Sequence, residues 1–176
     1  MYPILRLLYQ LGKYRNAPAL PIDGVHVSQH RCRLSDIDPW MEMNNGRILT
    51  IFDHARVPFA RRIPLAAAMR VQGWGMTMAG NTLRYRRRIK LGSRMEIRTR
   101  TIGRDARFFY MQQTMWVKSE AAASGVFRAA IVDENGIVPT EKVVNQMEIP
   151  DWNPPMPDWI NIWIKAEAAR AWPPET

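Results

Sequence analysis

The sequence predicts an α+β domain, an antiparallel sheet wrapped around one long helix. Three observations carry this prediction. One long helical period runs from Gly46 to about Arg62, with Ile48, Leu49, Ile51, Phe52, Ala55 and Phe59 recurring at three and four. A single strand pattern precedes it. Four consecutive strand patterns follow it, joined by short turns, and a lone helix before an antiparallel meander is how a sheet comes to cover a helix.

The elements fall in order. Residues 2–14 place Ile4, Leu5, Leu8, Tyr9 and Leu11 at helical spacing around Arg6 and Lys13. Two readings are open for this amphipathic segment: packing on its own domain or a dimer partner, or lying on a membrane surface. Arg6 and the lack of a leading basic region argue against a secretory signal. Asn16–Gly24, with Pro18 and Pro21, reads as a linker. Val25–Leu34 alternates as a strand, and Ser35–Asn45 is polar and turn-rich. Asn44 or Asn45 suits the N-cap of the helix, and Pro58 and Pro64 predict a bend or stop. After a loop through Gly73, strands are predicted over Met76–Lys90, Met95–Ile102, Phe108–Val117 and Gly125–Val132, with a tight turn at Asn135-Gly136. Trp159–Trp172 is helical in pattern within a tail rich in tryptophan and proline. The division is therefore 1–24 (amphipathic helix and linker), 25–148 (the main domain) and 149–176 (the tail).

Composition narrows the function classes. At 176 residues the chain suits one domain with a full core. No apolar run approaches the ~20 residues that cross a bilayer. A single cysteine, Cys32, excludes an internal disulfide and fits a reducing, cytoplasmic setting. No metal site is expected, since His26, His30 and His54 form no ligand pattern and the first two fall on a strand. The net charge of +9 admits nucleic acid, anionic lipid or the phosphates of coenzyme A. With five lysines among 25 basic residues, 20 are arginine, the better bidentate phosphate ligand, though charge alone does not choose among the partners.

The stretch Asp36-Ile37-Asp38-Pro39-Trp40-Met41-Glu42-Met43-Asn44-Asn45-Gly46 resembles the strand–loop–helix entry of the 4-hydroxybenzoyl-CoA thioesterase-like hotdog family. The family pattern is roughly Asp-x-Asp-x3-His-x-Asn-Asn, with a helix two residues on; Asp36, Asp38, Asn44 and Asn45 match it. Ile102-Gly103-Arg104, Ala129-Ala130, Gly136 and Pro139 agree in outline, so the resemblance spans about residues 25–148.

The resemblance implies a hotdog fold and an acyl-CoA thioesterase, with no cofactor beyond the CoA carried by the substrate. It also implies a homodimer or tetramer built edge to edge, with sites shared between subunits. Asp38 is then the catalytic carboxylate, attacking the thioester or activating water. Free N–H groups at the Gly46 helix start would hold the oxyanion, and Asn44 and Asn45 would orient the thioester unless they cap and turn. Glu42 stands where relatives carry His, either as a second acid/base group or as a solvated loop residue. Asp36 suits a turn. Arg84, Arg86, Arg88 and Lys90 share a face if they lie on a strand; Arg86 and Arg88, with Arg104 and Arg107, are candidates for the CoA phosphates, and a solvated sheet edge is the competing reading.

Three other classes compete. A hotdog module that binds acyl-CoA or serves assembly without catalysis fits the change at Glu42. A hydratase needs an Asp–His pair, for which His54 is the only nearby candidate. A nucleic-acid binder is unsupported by aromatic interleaving, so no nucleic acid partner is expected. Phe52, Trp74 and Met78 are candidates to line an acyl tunnel.

Overall fold

A computed structural model describes residues 2–174; Met1 and residues 175 and 176, at the limits of the divisions above, lie outside them. The described helices are α1 (Ile4–Lys13), α2 (Asn45–Arg62), α3 (Leu65–Gln72), α4 (Thr140–Gln146) and α5 (Asp158–Ala169). The strands are β1 (His26–Arg31), β2 (Gly75–Tyr85), β3 (Arg94–Arg104), β4 (Phe109–Val117), β5 (Glu120–Asp133) and β6 (Gly136–Ile137). All pairings are antiparallel in the order β1-β3-β4-β5-β2, with β6 on β5. α2 packs on one face, burying Ile51, Phe52, Ala55 and Phe59 against Ile97, Met111, Met115 and Phe127. The antiparallel sheet around one central helix is the predicted architecture, but the meander runs only through β3, β4 and β5, since β2 lies at the far edge against β5 and not beside β3.

Several boundaries differ from those predicted. Pro58 sits inside α2; the stop comes at Ile63, whose extended backbone is the conformation favoured before a proline, here Pro64. The predicted loop through Gly73 contains α3, ended by Gly73 at φ +69°, a left-handed helix cap. β2 ends at Tyr85. Arg86, Arg88 and Lys90 are not strand residues, and the backbone N–H groups of Arg86 and Arg87 both converge on the Ala122 carbonyl. β5 begins five residues earlier than predicted, across a two-residue turn in which Lys118 and Ser119 both have positive φ, as a I′ hairpin requires.

The second face of the sheet is covered by the C-terminal segment. α5 packs Ile160 against Phe108, Tyr110, Val126 and Ala130, and Arg128 lies over the Phe108 ring at 4.3 Å. Gly103 permits this seat, since a Cβ there would overlap Met156. Arg104 fixes the same segment by donating from Nε to the Trp152 carbonyl at 2.9 Å.

Between α2 and the sheet lies a buried polar network. Arg56 donates to Gln113 Oε1 and to Asp53 Oδ1, both at 2.8 Å. Gln113 donates in turn to the Phe52 carbonyl at 2.8 Å and to Thr99 Oγ1 at 2.9 Å. The Arg56 guanidinium also lies 4.4 Å above the Phe127 ring. A buried charge is tolerable only with such partners. Gln113→Ala is therefore expected to cost about 3 kcal/mol by leaving Arg56 short of an acceptor. For a chain of this size that is a melting temperature about 6–12 °C lower. Urea titration of both proteins checks it; a loss under about 1 kcal/mol would show that Arg56 needs no partner on β4.

Candidate active site

The loop from β1 to α2 is positioned by Asp36. Its side chain is 1% exposed. Both carboxylate oxygens accept from Arg6 Nη1 at 2.8 Å, and Oδ2 also accepts from the Arg33 N–H at 2.9 Å. Arg6 Nη2 donates to the Arg31 carbonyl at 2.9 Å, so α1 and the end of β1 are clamped together. The Asp36 carbonyl accepts from the Asn44 N–H at 2.8 Å, fixing where α2 begins. The expected turn role of Asp36 is present, and it is also the anchor of α1, which the sequence pattern did not show.

Within this frame Ile37 and Met43 form a bridge, and Asp38 to Glu42 make a tight hairpin between them. Asp38 N–H donates to the Glu42 carbonyl at 2.8 Å, and Met41 N–H to the Asp38 carbonyl at 3.0 Å. Met41 takes φ +62°, uncommon for a residue with a side chain. Asp38 Oδ1 accepts from the Trp40 and Glu42 N–H groups at 3.0 and 3.3 Å. Its Oδ2 accepts no hydrogen bond from the described residues, leaving that oxygen for a substrate or a water. Trp40 and Met41 flank it at the loop tip, 76% and 66% exposed. Neither residue is among the candidates named above, although two large apolar side chains in a short polar turn stand out in the sequence.

Glu42 lies 3.1 Å from Arg88 Nε, an ion pair without hydrogen-bond alignment. Met43 N–H donates to the Ile89 carbonyl at 2.8 Å, so the segment after β2 runs beside the hairpin. Asp38, Glu42, Asn44, Asn45, Gly46 and Arg88 thus share one region, with Arg86 two residues away along the chain. Arg104 and Arg107 do not join them. Arg104 ends β3 and Arg107 lies just beyond, across a strand about 33 Å long from Arg94, and Arg104 is engaged with Trp152 and Thr140. Of the four arginines expected at the CoA phosphates, this chain brings Arg88 to the hairpin and Arg86 close to it, and holds Arg104 and Arg107 apart from it. The oxyanion expectation changes as well. Asn44 is the N-cap and its Oδ1 takes the Gly46 N–H at 2.8 Å, so that donor is occupied.

Cys32 is buried, and burial, with Asp36 nearby, pushes its thiol up to about 11, away from a reactive thiolate. Among the described residues no group of three or more His, Cys, Asp or Glu could hold a metal ion. His54 is fully buried in α2 with the Tyr2 ring edge-on at 5.3 Å, so it is not placed as a hydratase base in the Asp38 hairpin. Of the tunnel candidates, Phe52 is sealed in the core, Trp74 is 7% exposed and Met78 is partly buried on β2.

His26, Ser28 and His30 occupy the inward positions of β1. His26 Nδ1 accepts from Arg62 at 2.8 Å, and burial, then Arg62, lowers this imidazole to about 4. Burial, then the neighbouring His54, lowers His30 to about 3.

The family comparison agrees with this geometry. The model of the thioesterase-like superfamily matches residues 32–164. A relative from Danio rerio, "Protein THEM6", is 30% identical over 162 residues, covering 88% of this chain and 79% of its own. A probable thioesterase from Escherichia coli, YbaW, superposes with a TM-score of 0.65 at 16% identity, over 70% of this chain and 97% of that one. A DHNA-CoA thioesterase from Staphylococcus aureus does so at 0.59 and 16%, over 85% and 93%. The fold is a hotdog. The chain belongs to the thioesterase-like superfamily.

The buried histidines give a pH prediction. Their folded values lie below the ~6.5 of an unfolded histidine, so below pH ~6.5 the unfolded chain binds protons that the folded one refuses. Stability is then full above pH ~6.5 and falls as pH drops toward 4. The melting temperature should decline across that window, and His26→Gln and His30→Gln should each flatten the decline relative to the parent. Equal slopes in parent and variants would assign it to other groups.

Proposed function

We propose that the protein is an acyl-CoA thioesterase, cleaving an acyl-CoA thioester to a carboxylic acid and free CoA, with Asp38 as its catalytic carboxylate. The observation that carries this reading is the Asp38 hairpin. One carboxylate oxygen is fixed by two backbone N–H groups and the other is left open, on an accessible loop beside the start of α2. The Asp-x-Asp and Asn-Asn pattern shared with 4-hydroxybenzoyl-CoA thioesterase-like proteins supports the same residue. Asp38 adds to the thioester carbonyl and expels the CoA thiolate, leaving a mixed anhydride that water hydrolyses to the acid and free Asp38; alternatively it takes a proton from a water that adds directly, and the CoA thiolate leaves with the acid formed in one step. Arg86 and Arg88 serve the CoA phosphates at the rim. Arg88 also holds Glu42, which on this reading orients the water.

The working unit we propose is a homodimer or larger even assembly joined through β2. Its outer edge pairs with no strand among the described residues, and its residues alternate between exposed and half-buried with none fully buried. A second copy on that edge would lie beside the segment that carries Arg88 and Ile89, walling the Asp38 hairpin from the far side.

Incubating the protein with acyl-CoAs of graded chain length and a thiol reagent tests the reading. Release of free CoA is expected, and Asp38→Asn should lower it by about 100-fold or more while the melting temperature holds. If no acyl-CoA is turned over, yet acyl-CoA raises the melting temperature, the protein is a binding module and Asp38 a loop residue.

A further inference from the structure

Helix α1 is mounted the wrong way round for a helix that belongs to its own core. Its inward face is anchored by polar groups beside the half-buried Leu7 and Leu11: Arg6 grips Asp36, and Gln10, 4% exposed, donates to the Gln29 carbonyl at 3.1 Å. Its apolar stripe faces out, with Ile4, Leu5, Leu8 and Tyr9 at 59%, 82%, 55% and 63% exposed. A surface helix ordinarily does the opposite, and a contiguous exposed apolar stripe marks a binding surface. The polar clamps fix the orientation, so the helix cannot roll to bury the stripe without stranding the Asp36 carboxylate.

The ground beside the stripe is cationic. Tyr9 is shared with a cleft of about 420 Å³ that Arg6, Lys13, Arg31, Arg33 and Arg94 also line. No acidic residue lines it among the described residues. Arg31 and Arg94 are direct cross-strand neighbours at the end of the β1–β3 ladder, and neither pairs with a carboxylate among the described residues. Like charges facing each other on a ladder are unfavourable unless something negative lies over them.

We propose that α1 and this cleft form an interfacial docking surface for anionic lipid. Ile4, Leu5, Leu8 and Tyr9 enter the headgroup–acyl boundary, while Lys13, Arg31, Arg33 and Arg94 take lipid phosphates. Ten residues of helix span about 15 Å, too short to cross a bilayer, so α1 lies in the interface plane. A second copy is the poorer occupant. Each copy would bring the same uncompensated cations, and the unpaired strand edge β2 lies at the other side of the sheet from β1.

Co-sedimentation of the full chain with vesicles tests this, using phosphatidylcholine alone or with added phosphatidylserine. Binding is expected only with the anionic vesicles, weakening as salt rises. Leu5→Glu and Leu8→Glu should each reduce it about tenfold or more, and Arg94→Glu at least about fivefold. CoA release should be unchanged in all three, because none of these side chains takes part in the Arg6–Asp36 clamp or bonds to the Asp38 hairpin; the outcome is thus separable from that of the thioesterase reading. If the parent stays in the supernatant, the proposal fails. It also fails if the leucine variants leave vesicle binding intact, or if they shift the sedimentation coefficient of the parent to that of a smaller assembly, which would give the stripe to a second copy.

Discussion

The buried carboxylate of Asp36 is the constraint on which the functional end of the molecule depends. A charge with 1% exposure is stable only when its lone pairs are filled, and they are filled by parts of the chain that otherwise have little reason to meet. Arg6 arrives from α1, the Arg33 N–H from the end of β1, and the Asp36 carbonyl takes the Asn44 N–H at the start of α2. Two residues on, Asp38 inherits its position from this arrangement. The clamp that places the candidate catalytic group is the same one that holds α1 with its apolar side outward, so the two surfaces form one mechanical unit.

The second constraint is the polar contact between helix and sheet. Most of α2 is held by apolar packing, which is non-directional and would tolerate some sliding. Arg56 and Gln113 remove that freedom, because Gln113 must reach both the guanidinium and the Phe52 carbonyl at once. The position of α2 along β4 is thereby fixed, and with it the distance from the Asp38 hairpin to the segment after β2. The site needs this, since Arg88 and Ile89 come from that segment and Glu42 and Met43 from the hairpin.

What could be read from the sequence follows from how local each signal is. The period of three and four in α2 and the alternation in β3 are local patterns, and they predicted their elements; the turn expected at Asn135-Gly136 falls one residue earlier, at Glu134-Asn135, with Gly136 opening β6. The turn at Lys118-Ser119 carries no glycine or asparagine, so its left-handed residues gave no sign and β5 was read too short. Leu65-Ala66-Ala67-Ala68 and a terminal Gly73 are ordinary helix signals for α3, masked in the sequence by Pro64, which here is the N-cap of a new helix and not a stop. At the site, the Asp38 motif was legible because its residues are contiguous. The separation of Arg104 and Arg107 from it was not, because which end of a strand a residue occupies is set by sheet topology. The outward stripe of α1 was equally hidden: periodicity shows that a helix has two faces, and only the partner of Arg6 decides which one is turned to solvent.

The same distinction settles how the net charge of +9 is to be understood. Several arginines are consumed by the fold: Arg56 by Gln113 and Asp53, Arg62 by His26 and the Pro18 carbonyl, Arg104 by Trp152. On the outer sheet face, Arg98 pairs with Glu96 and stacks on Trp116, and Arg100 donates to Gln112. One cluster of uncompensated charge lies where Arg31 meets Arg94 beside α1. A nucleic-acid surface would need a stripe of free cations along a groove, with aromatic faces open for stacking. Here the aromatic face is already occupied by Arg98, and the free cations border an apolar helix. That pairing of a hydrophobic stripe with a basic margin is what an anionic interface satisfies, and it relieves the Arg31–Arg94 repulsion that the isolated fold leaves standing.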